Sequence, residues 1–249
     1  DWKVIRRNQF TEVTGPGGIE GNASTSDPIW SLGWDYKSVI LACRDTVAGW
    51  TFYRLPKASF AYDGAHGWST EWPRIRNVGT RENPDMLMTM HGMFWRFPHT
   101  FTSQNTAGIT PRGAYLKVIG DFTEWNGRLV FGCDDSAQSE FLNKRRQKGN
   151  IGGTGQSNSN IWFGDISTPD NVGPTTAAGS LWLKEQVEAG VPSDPFLFAG
   201  WDNRCAWMAN RSDKDATITF EVDKKGDGTW TQLRTETLAA GESKFIPFE

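Results

Sequence analysis

A repeated pattern of short apolar strands and tight turns, with a period of about 43 residues, constrains this 249-residue chain more than any other feature. The segment PIWSLGWDYKSVILACRDTVAGWTFYRLP, residues 28–56, is predicted to form three strands joined by turns. The same order returns in residues 70–98, where WRFP matches YRLP and DMLMTM matches SVILAC. Strand-rich units that recur every 40 to 50 residues or so are typical of β-propellers, in which each unit forms one blade.

Two more copies follow. One occupies residues 114–137, where Asn126-Gly127 between apolar runs indicates a hairpin, and another occupies residues 194–233. The first strands centre near Trp34, Val78, Asp121 and Trp201, so the steps are about 44, 43 and 80 residues. The long step contains an insertion with one candidate helix at residues 175–190. The sequence therefore predicts an all-β propeller with about four recognisable blades, near 28–65, 66–103, 111–165 and 194–249.

Four blades are fewer than most propellers have. The chain is therefore expected to be a portion of a larger propeller, or to pair with another copy that closes the ring. Residues 1–27 are predicted to add an outer strand. A β-sandwich of about twelve strands is the alternative, because it uses the same short strands and Gly-rich turns.

Charge and hydropathy narrow the partners. The net charge of -3 and the absence of a basic stripe argue against a nucleic-acid partner. No apolar run approaches the roughly 18 residues that a membrane-spanning helix needs. The sequence begins at Asp1 without an initiator Met, so we expect that a signal peptide or longer segment has been removed and that the protein is secreted or periplasmic.

Cys43, Cys133 and Cys205 lie in strand-like contexts and are predicted to be buried free thiols.

Blade geometry predicts one ligand-binding face. The loop that enters the first strand of a blade and the turn between its second and third strands share that face. His91 lies in such a turn, and the loop before the same blade carries His66 and Glu71. Arg74 and Arg76 are two residues apart in a strand and therefore point to one side. Arg112 and Tyr115 are predicted to hold the corresponding place in the third unit. His99 follows a third strand and is expected at the opposite end.

This set of side chains suits an acidic ligand. Arginine forks bind carboxylates, and histidine is the usual proton-transfer group near neutral pH. Two alternatives stay open. Arg74 and Arg76 would also be satisfied by Asp or Glu residues of adjacent blades, and His91 would equally serve as a turn residue without a role in chemistry.

Other motifs are weaker. DKKGDGTW, residues 223–230, is predicted to be a hairpin turn, because Lys225 stands where a calcium loop and an aspartate box each need an acid. Zinc-ligand spacing, a Gly-rich phosphate loop before a helix, and a Gly-x-Ser-x-Gly motif do not occur in the sequence. The sequence requires no cofactor.

Two segments carry a family resemblance. PSDPFLFAGWDNRCAWMANRSDKDATITFEVDKKGDGTW, together with WPRIRNVG and MHGMFWRFP, resembles the β-propeller polysaccharide lyases and related enzymes that act on rhamnose-glucuronate linkages, the group that contains ulvan lyases and gum arabic rhamnose-glucuronate lyases. The resemblance runs from about residue 28 to the end. It implies a propeller of about seven blades that often holds a structural divalent metal, whose ligands in this chain it does not indicate.

The resemblance also implies a reaction. Such lyases remove the C5 proton of a uronate and expel the sugar at C4, so they need a base and cationic groups that hold the carboxylate. The matching residues here are His91 or His66 as the base and Tyr115 as an acid. The ligand would be an acidic polysaccharide or oligosaccharide, contacted by Arg74, Arg76, Arg112 and Glu71. A glycosidase acting on the same linkage, a non-catalytic carbohydrate-binding propeller and an interaction propeller are the alternatives.

Overall fold

The computed structural model describes residues 2–58, 73–115, 118–134 and 160–248. The described chain is all-β and consists of several small antiparallel sheets. The first sheet has the strand order β1-β2-β3-β4, and its strands span Gln9–Thr14, Ile29–Trp34, Val39–Asp45 and Gly49–Leu55. None of the helices in the described part of the chain is long and apolar enough to cross a membrane.

Two further sheets follow the repeat. The second sheet has the order β5-β6-β7-β8, with strands at Arg74–Asn77, Met86–Met90, Met93–Phe97 and Thr110–Ala114. The third has the order β9-β10-β11, with strands at Val118–Trp125, Arg128–Asp134 and Asn160–Asp165. Asn126 and Gly127 have positive φ and join β9 to β10, which is the two-residue hairpin that the Asn-Gly pair predicts.

Apolar side chains join the three sheets into one stack. Met86, Met88 and Met90 belong to a cluster shared with the first sheet, where the Trp30 and Phe97 rings lie 4.8 Å apart. Leu87 alternates with them and belongs to a second cluster, shared with the third sheet. The second sheet is therefore covered on both faces, which is why all five residues of β6 are buried and only Thr89 among them is polar.

The N-terminal segment adds a strand to the first sheet. Residues 1–27 are predicted to add an outer strand, and β1 is an edge strand that pairs with β2 and lies beside β5 of the next sheet, while β4 forms the opposite edge. Glu12 of β1 also forms ion pairs with Arg74 and Arg76 of β5, which join the edges of the two sheets. The first strand of the first unit is thus β1, rather than the strand that ends at Trp34.

The predicted helix at residues 175–190 does not form, although the structure describes all of these residues. Two of them bond instead to residues that flank strands of the first sheet. Ala178 exchanges two backbone hydrogen bonds with Lys57, of 2.8 and 3.0 Å, and the Ser180 N–H donates to Lys37 O at 2.8 Å. Lys184 has a φ of 52°, which a right-handed helix excludes. Tertiary pairing overrides the local helix propensity.

The fourth predicted unit, residues 194–249, also differs from a sequential blade. Trp201 lies outside any strand, β12 (Arg204–Ala209) pairs with β15 (Ser243–Phe248), and β13 (Ala216–Val222) pairs with β14 (Thr231–Leu238). Exposed and partly buried residues alternate along β12 and β13, so each strand has one face that is partly covered. The two sheets meet through rings such as Phe220 and Phe248, which lie 5.4 Å apart.

The DKKGDGTW segment connects β13 to β14, as the hairpin interpretation predicts. Asp223 accepts backbone hydrogen bonds of 2.8 Å from both Gly226 and Gly228, so its carboxylate organises the loop itself. Gly226 O in turn accepts the Thr106 N–H at 2.7 Å. The loop therefore docks the C-terminal sheets onto the connection between β7 and β8.

We expect Gly226→Ala to destabilise the protein by about 2 to 4 kcal/mol, of which about 1 to 2 kcal/mol is the cost of a positive φ for alanine. The φ of Gly226 is 71°, and a Cβ there would lie 2.5 Å from Ala107 N. Gly228→Ala is the matched control, because its φ is 83° but a Cβ would meet nothing within 4 Å. Urea unfolding measures both variants. Equal losses would contradict the docking role of Gly226.

The cysteines divide into two classes. Cys43, Cys133 and Cys205 are all free, but only Cys43 and Cys133 are buried. Burial, with a smaller effect of Asp45, raises the pKa of the Cys43 thiol to about 12. Cys205 corrects the prediction of a third buried thiol, because it occupies an exposed position of the alternating strand β12.

Candidate functional site

Four charged side chains meet where the edge strands β1, β5 and β9 come together. Arg76 Nη1 lies 2.5 Å from Glu12 Oε1, and Arg76 Nε lies 3.1 Å from Asp121 Oδ1. Arg74 contacts the same two carboxylates, at 3.4 Å from Glu12 Oε2 and 3.3 Å from Asp121 Oδ2. We call Glu12, Arg74, Arg76 and Asp121 the inner-edge cluster.

The local sequence explains this geometry. Residues two apart in a strand share a side, so Arg74 and Arg76 both leave β5 in one direction while Ile75 joins the apolar core. The edge strands on either side, β1 and β9, each supply one acid within ion-pair distance of both arginines. The two guanidiniums are therefore paired with carboxylates of neighbouring sheets, the arrangement that the sequence left open as the alternative to ligand binding.

The two acids of the inner-edge cluster differ in exposure. Glu12 is 5% exposed, and burial raises its pKa even though Arg76 and Arg74 act in the opposite direction. Although burial opposes the charge of Arg76, its contacts with Glu12 and Asp121 hold the pKa of Arg76 above its usual range. The side chain of Asp121 is 54% exposed. The cluster thus has an enclosed side at Glu12 and an open side at Asp121.

Arg112 does not join this cluster. The sequence predicts it in the third unit, but it lies in β8, which pairs with β7 and completes the second sheet. Three strand spacings of about 4.8 Å separate β8 from β5, so Arg112 lies roughly 14 Å from the inner edge. Its Nε and Nη2 donate to the two carboxylate oxygens of Asp170, at 2.8 and 2.7 Å. These hydrogen bonds lower the pKa of Asp170. Burial raises this pKa, but by less.

His91 lies at the tip of the hairpin between β6 and β7, as its position before Gly92 predicts. Met90 pairs with Met93, and both turn residues have positive φ, 47° for His91 and 80° for Gly92. The imidazole ring meets the Trp34 ring edge-on with centroids 5.3 Å apart. The residue is only 1% exposed, so the ring is enclosed between the first and second sheets.

Tyr115 is another predicted site residue that the structure describes. Tyr115 N–H donates to Gly92 O at 2.8 Å, but the Tyr115 ring packs on Phe94 at 4.5 Å, within the second apolar cluster. His91 and Tyr115 thus face different sides of the second sheet. His66 and Glu71 lie outside the described residues.

A second charged cluster is formed by residues that the sequence did not predict to lie together. Arg54 donates from Nη1 and Nη2 to both oxygens of Asp35, at 3.2 and 3.1 Å, and from Nε to Asp194 at 2.9 Å. Arg6 closes the group with bonds of 3.0 and 2.6 Å to Asp194, and Ser38 accepts from Arg54 at 2.6 Å. Although burial acts in the opposite direction, these arginines hold the pKa values of Asp35 and Asp194 below their usual range. We call this the Arg54 cluster.

The Arg54 cluster is structural in character. It ties the N-terminal segment and Asp194 to the first sheet, and neighbouring backbone bonds join Arg54 to Pro195 and Leu197 at 2.8 Å each. Arg54 and Asp194 are 140 residues apart in the chain, a separation at which sequence spacing gives no signal. The one hint is that Arg54 lies in YRLP, whose counterpart WRFP repeats an arginine.

The described residues contain no group of three or more His, Cys, Asp or Glu that is arranged to hold a metal ion. They therefore do not supply a ligand set for the metal that the family resemblance implies. The chain matches no family model, and neither the curated proteins nor the solved structures contain a match.

Proposed function

We propose that the first three sheets are blades of a β-propeller that recognises uronate-containing glycans at its inner edge and cleaves them as a polysaccharide lyase. The observation that carries this proposal is the convergence of Arg74 and Arg76 at the meeting point of β1, β5 and β9. Two guanidiniums on alternate positions of one strand, and therefore on one side of it, offer a binding site for a planar carboxylate.

The propeller interpretation is supported by how the sheets follow one another. Each is antiparallel, successive sheets share an apolar cluster, and each contributes its first strand to the inner-edge cluster. Radial repetition of such sheets around a central axis defines a propeller. Three blades do not close a ring, so the chain is proposed to be part of a propeller of about seven blades, or to associate with another copy.

The proposed ligand is an acidic polysaccharide or oligosaccharide that contains glucuronate next to rhamnose. Its carboxylate would reach the cluster from the side of Asp121, the exposed member. Neutral sugars lack the group that the arginines would bind. A polymer of this kind is met outside the cytoplasm, which is consistent with a secreted or periplasmic protein.

The proposed reaction is a β-elimination. A base takes the C5 proton, the C5–H electron pair forms the C4=C5 double bond, the C4–O bond breaks, and the departing oxygen takes a proton from an acid or water. The arginines would stabilise the charge that develops on the carboxylate. His91 and His66 are the candidate bases and Tyr115 is the candidate acid.

A non-catalytic propeller that binds acidic glycans is the second candidate. The burial of His91 favours it, because a residue that is 1% exposed abstracts a substrate proton only after its turn opens. The packing of Tyr115 against Phe94 favours it in the same way. A glycosidase that cleaves the same linkage would typically need two carboxyl groups that flank the glycosidic bond, a requirement that a lyase does not have.

One incubation separates these functions. The protein is mixed with a rhamnose-glucuronate polysaccharide, and both the absorbance of unsaturated uronate and the number of new reducing ends are followed. A lyase raises both signals together, a glycosidase raises reducing ends alone, and a binding propeller raises neither while retaining the polymer. Reducing ends without new absorbance would contradict elimination.

A further inference from the structure

We propose that Asp121 is an internal substitute for the ligand carboxylate, which occupies the open side of the Arg76 fork in the free protein and is displaced when a glucuronate binds. This inference rests on the proposed function and adds to it the residue that gates the site. It makes the inner-edge cluster an exchangeable ion pair rather than a fixed structural one.

The contacts of Arg76 differ on its two sides. Towards the core, Nη1 donates to the buried Glu12 at 2.5 Å. Towards solvent, Nη2 donates to Asp121 Oδ2 at 3.2 Å, while Nε lies 3.1 Å from Oδ1 without the alignment of a hydrogen bond. Asp121 therefore uses one of the two donors that a carboxylate would engage in a bidentate pair.

Arg112 provides an internal comparison. Its Nε and Nη2 both donate to Asp170, at 2.8 and 2.7 Å, so this fork is fully used. Both acids are about half exposed, yet only Asp121 leaves its arginine incompletely bonded. The difference marks Asp121 as the more readily displaced carboxylate.

A backbone hydrogen bond would hold the Asp121 side chain close to the site after the ligand has displaced it. Its Oδ1 accepts the N–H of the next residue, Phe122, at 2.8 Å, a bond that does not involve the arginines. A glucuronate carboxylate would replace one ion pair at the guanidiniums by another of the same chemistry. The displaced Asp121 would stay nearby and repel the ligand, so it lowers the affinity for anionic sugars.

The test compares Asp121→Asn with the wild type in calorimetric titrations with sodium glucuronate, and with glucose as the neutral match. The asparagine keeps the shape of the side chain and removes its charge. We expect Asp121→Asn to bind glucuronate about tenfold more tightly than the wild type, with glucose binding unchanged. Asp170→Asn is the matched control and is expected to leave glucuronate affinity unchanged.

The outcomes separate this inference from the proposed function. Equal or weaker glucuronate binding by Asp121→Asn overturns the role of Asp121, as does an equal gain in Asp170→Asn. Tighter binding by a protein that forms no unsaturated uronate supports Asp121 as the gate and contradicts only the lyase. If neither the wild type nor Asp121→Asn binds glucuronate, both this inference and the proposed function are overturned. Asp121→Ser repeats the comparison should the asparagine variant lose its fold.

Discussion

Replacing Arg54 by alanine is expected to lower the free energy of unfolding by about 3 kcal/mol. Removing one partner of a buried ion pair costs about 3 to 5 kcal/mol, because the remaining charge is left uncompensated. The Arg54 side chain is 4% exposed, while Asp35 and Asp194 keep some contact with water, which places the loss near the lower end of that range. The Ser38 hydroxyl loses a donor as well.

Urea unfolding of Arg54→Ala measures this loss. Arg44→Ala is the matched control, because Arg44 lies on the same sheet but is exposed, and its removal is expected to change stability by less than about 0.5 kcal/mol. A similar, small effect of both substitutions would show that the Arg54 cluster does not hold the N-terminal segment and Asp194 to the first sheet.

Replacing His91 by asparagine is expected to lower the rate of unsaturated uronate formation by about 100-fold or more, if the lyase proposal is correct. Loss of a general base typically costs about 10²- to 10⁴-fold in rate. Asparagine is chosen because it tolerates the left-handed conformation, and His91 has a φ of 47°. The turn should therefore persist while the base is lost.

The rate is measured by absorbance, and thermal unfolding of the same variant checks that the hairpin survives. His99→Asn is the control, since His99 is exposed and is predicted to lie at the opposite end of the blade. Full activity in His91→Asn would exclude His91 and leave His66 as the base. Loss of activity together with a large loss of stability would assign His91 to the fold.

The sequence predicts best what local chemistry decides. The strands of the first three units follow from alternation and apolar runs, and the hairpins at Asn126-Gly127 and His91-Gly92 follow from residues that accept positive φ. The two-residue spacing of Arg74 and Arg76 predicts their shared side, and both contact the same acids.

Long-range pairing decides the rest. β1 contacts β5 through Glu12, and no sequence spacing relates this residue to arginines more than 60 positions away. The sequence of residues 175–190 predicts a helix, but Ala178 forms backbone hydrogen bonds with the distant Lys57 instead. The C-terminal strands have a sequence pattern similar to that of the earlier units, yet β12 pairs with the last strand, β15, rather than with the next strand, β13. Similar strands thus form different sheets, because strand order is set by tertiary contacts.

The proposed function depends on recognition of a uronate carboxylate by the inner-edge cluster. This recognition can be measured by titrating the wild-type protein with a rhamnose-glucuronate oligosaccharide and with the same oligosaccharide after its carboxyl groups have been reduced to alcohols. We expect measurable binding of the acidic form and at least about tenfold weaker binding of the reduced form. Equal affinity for the two forms would contradict it.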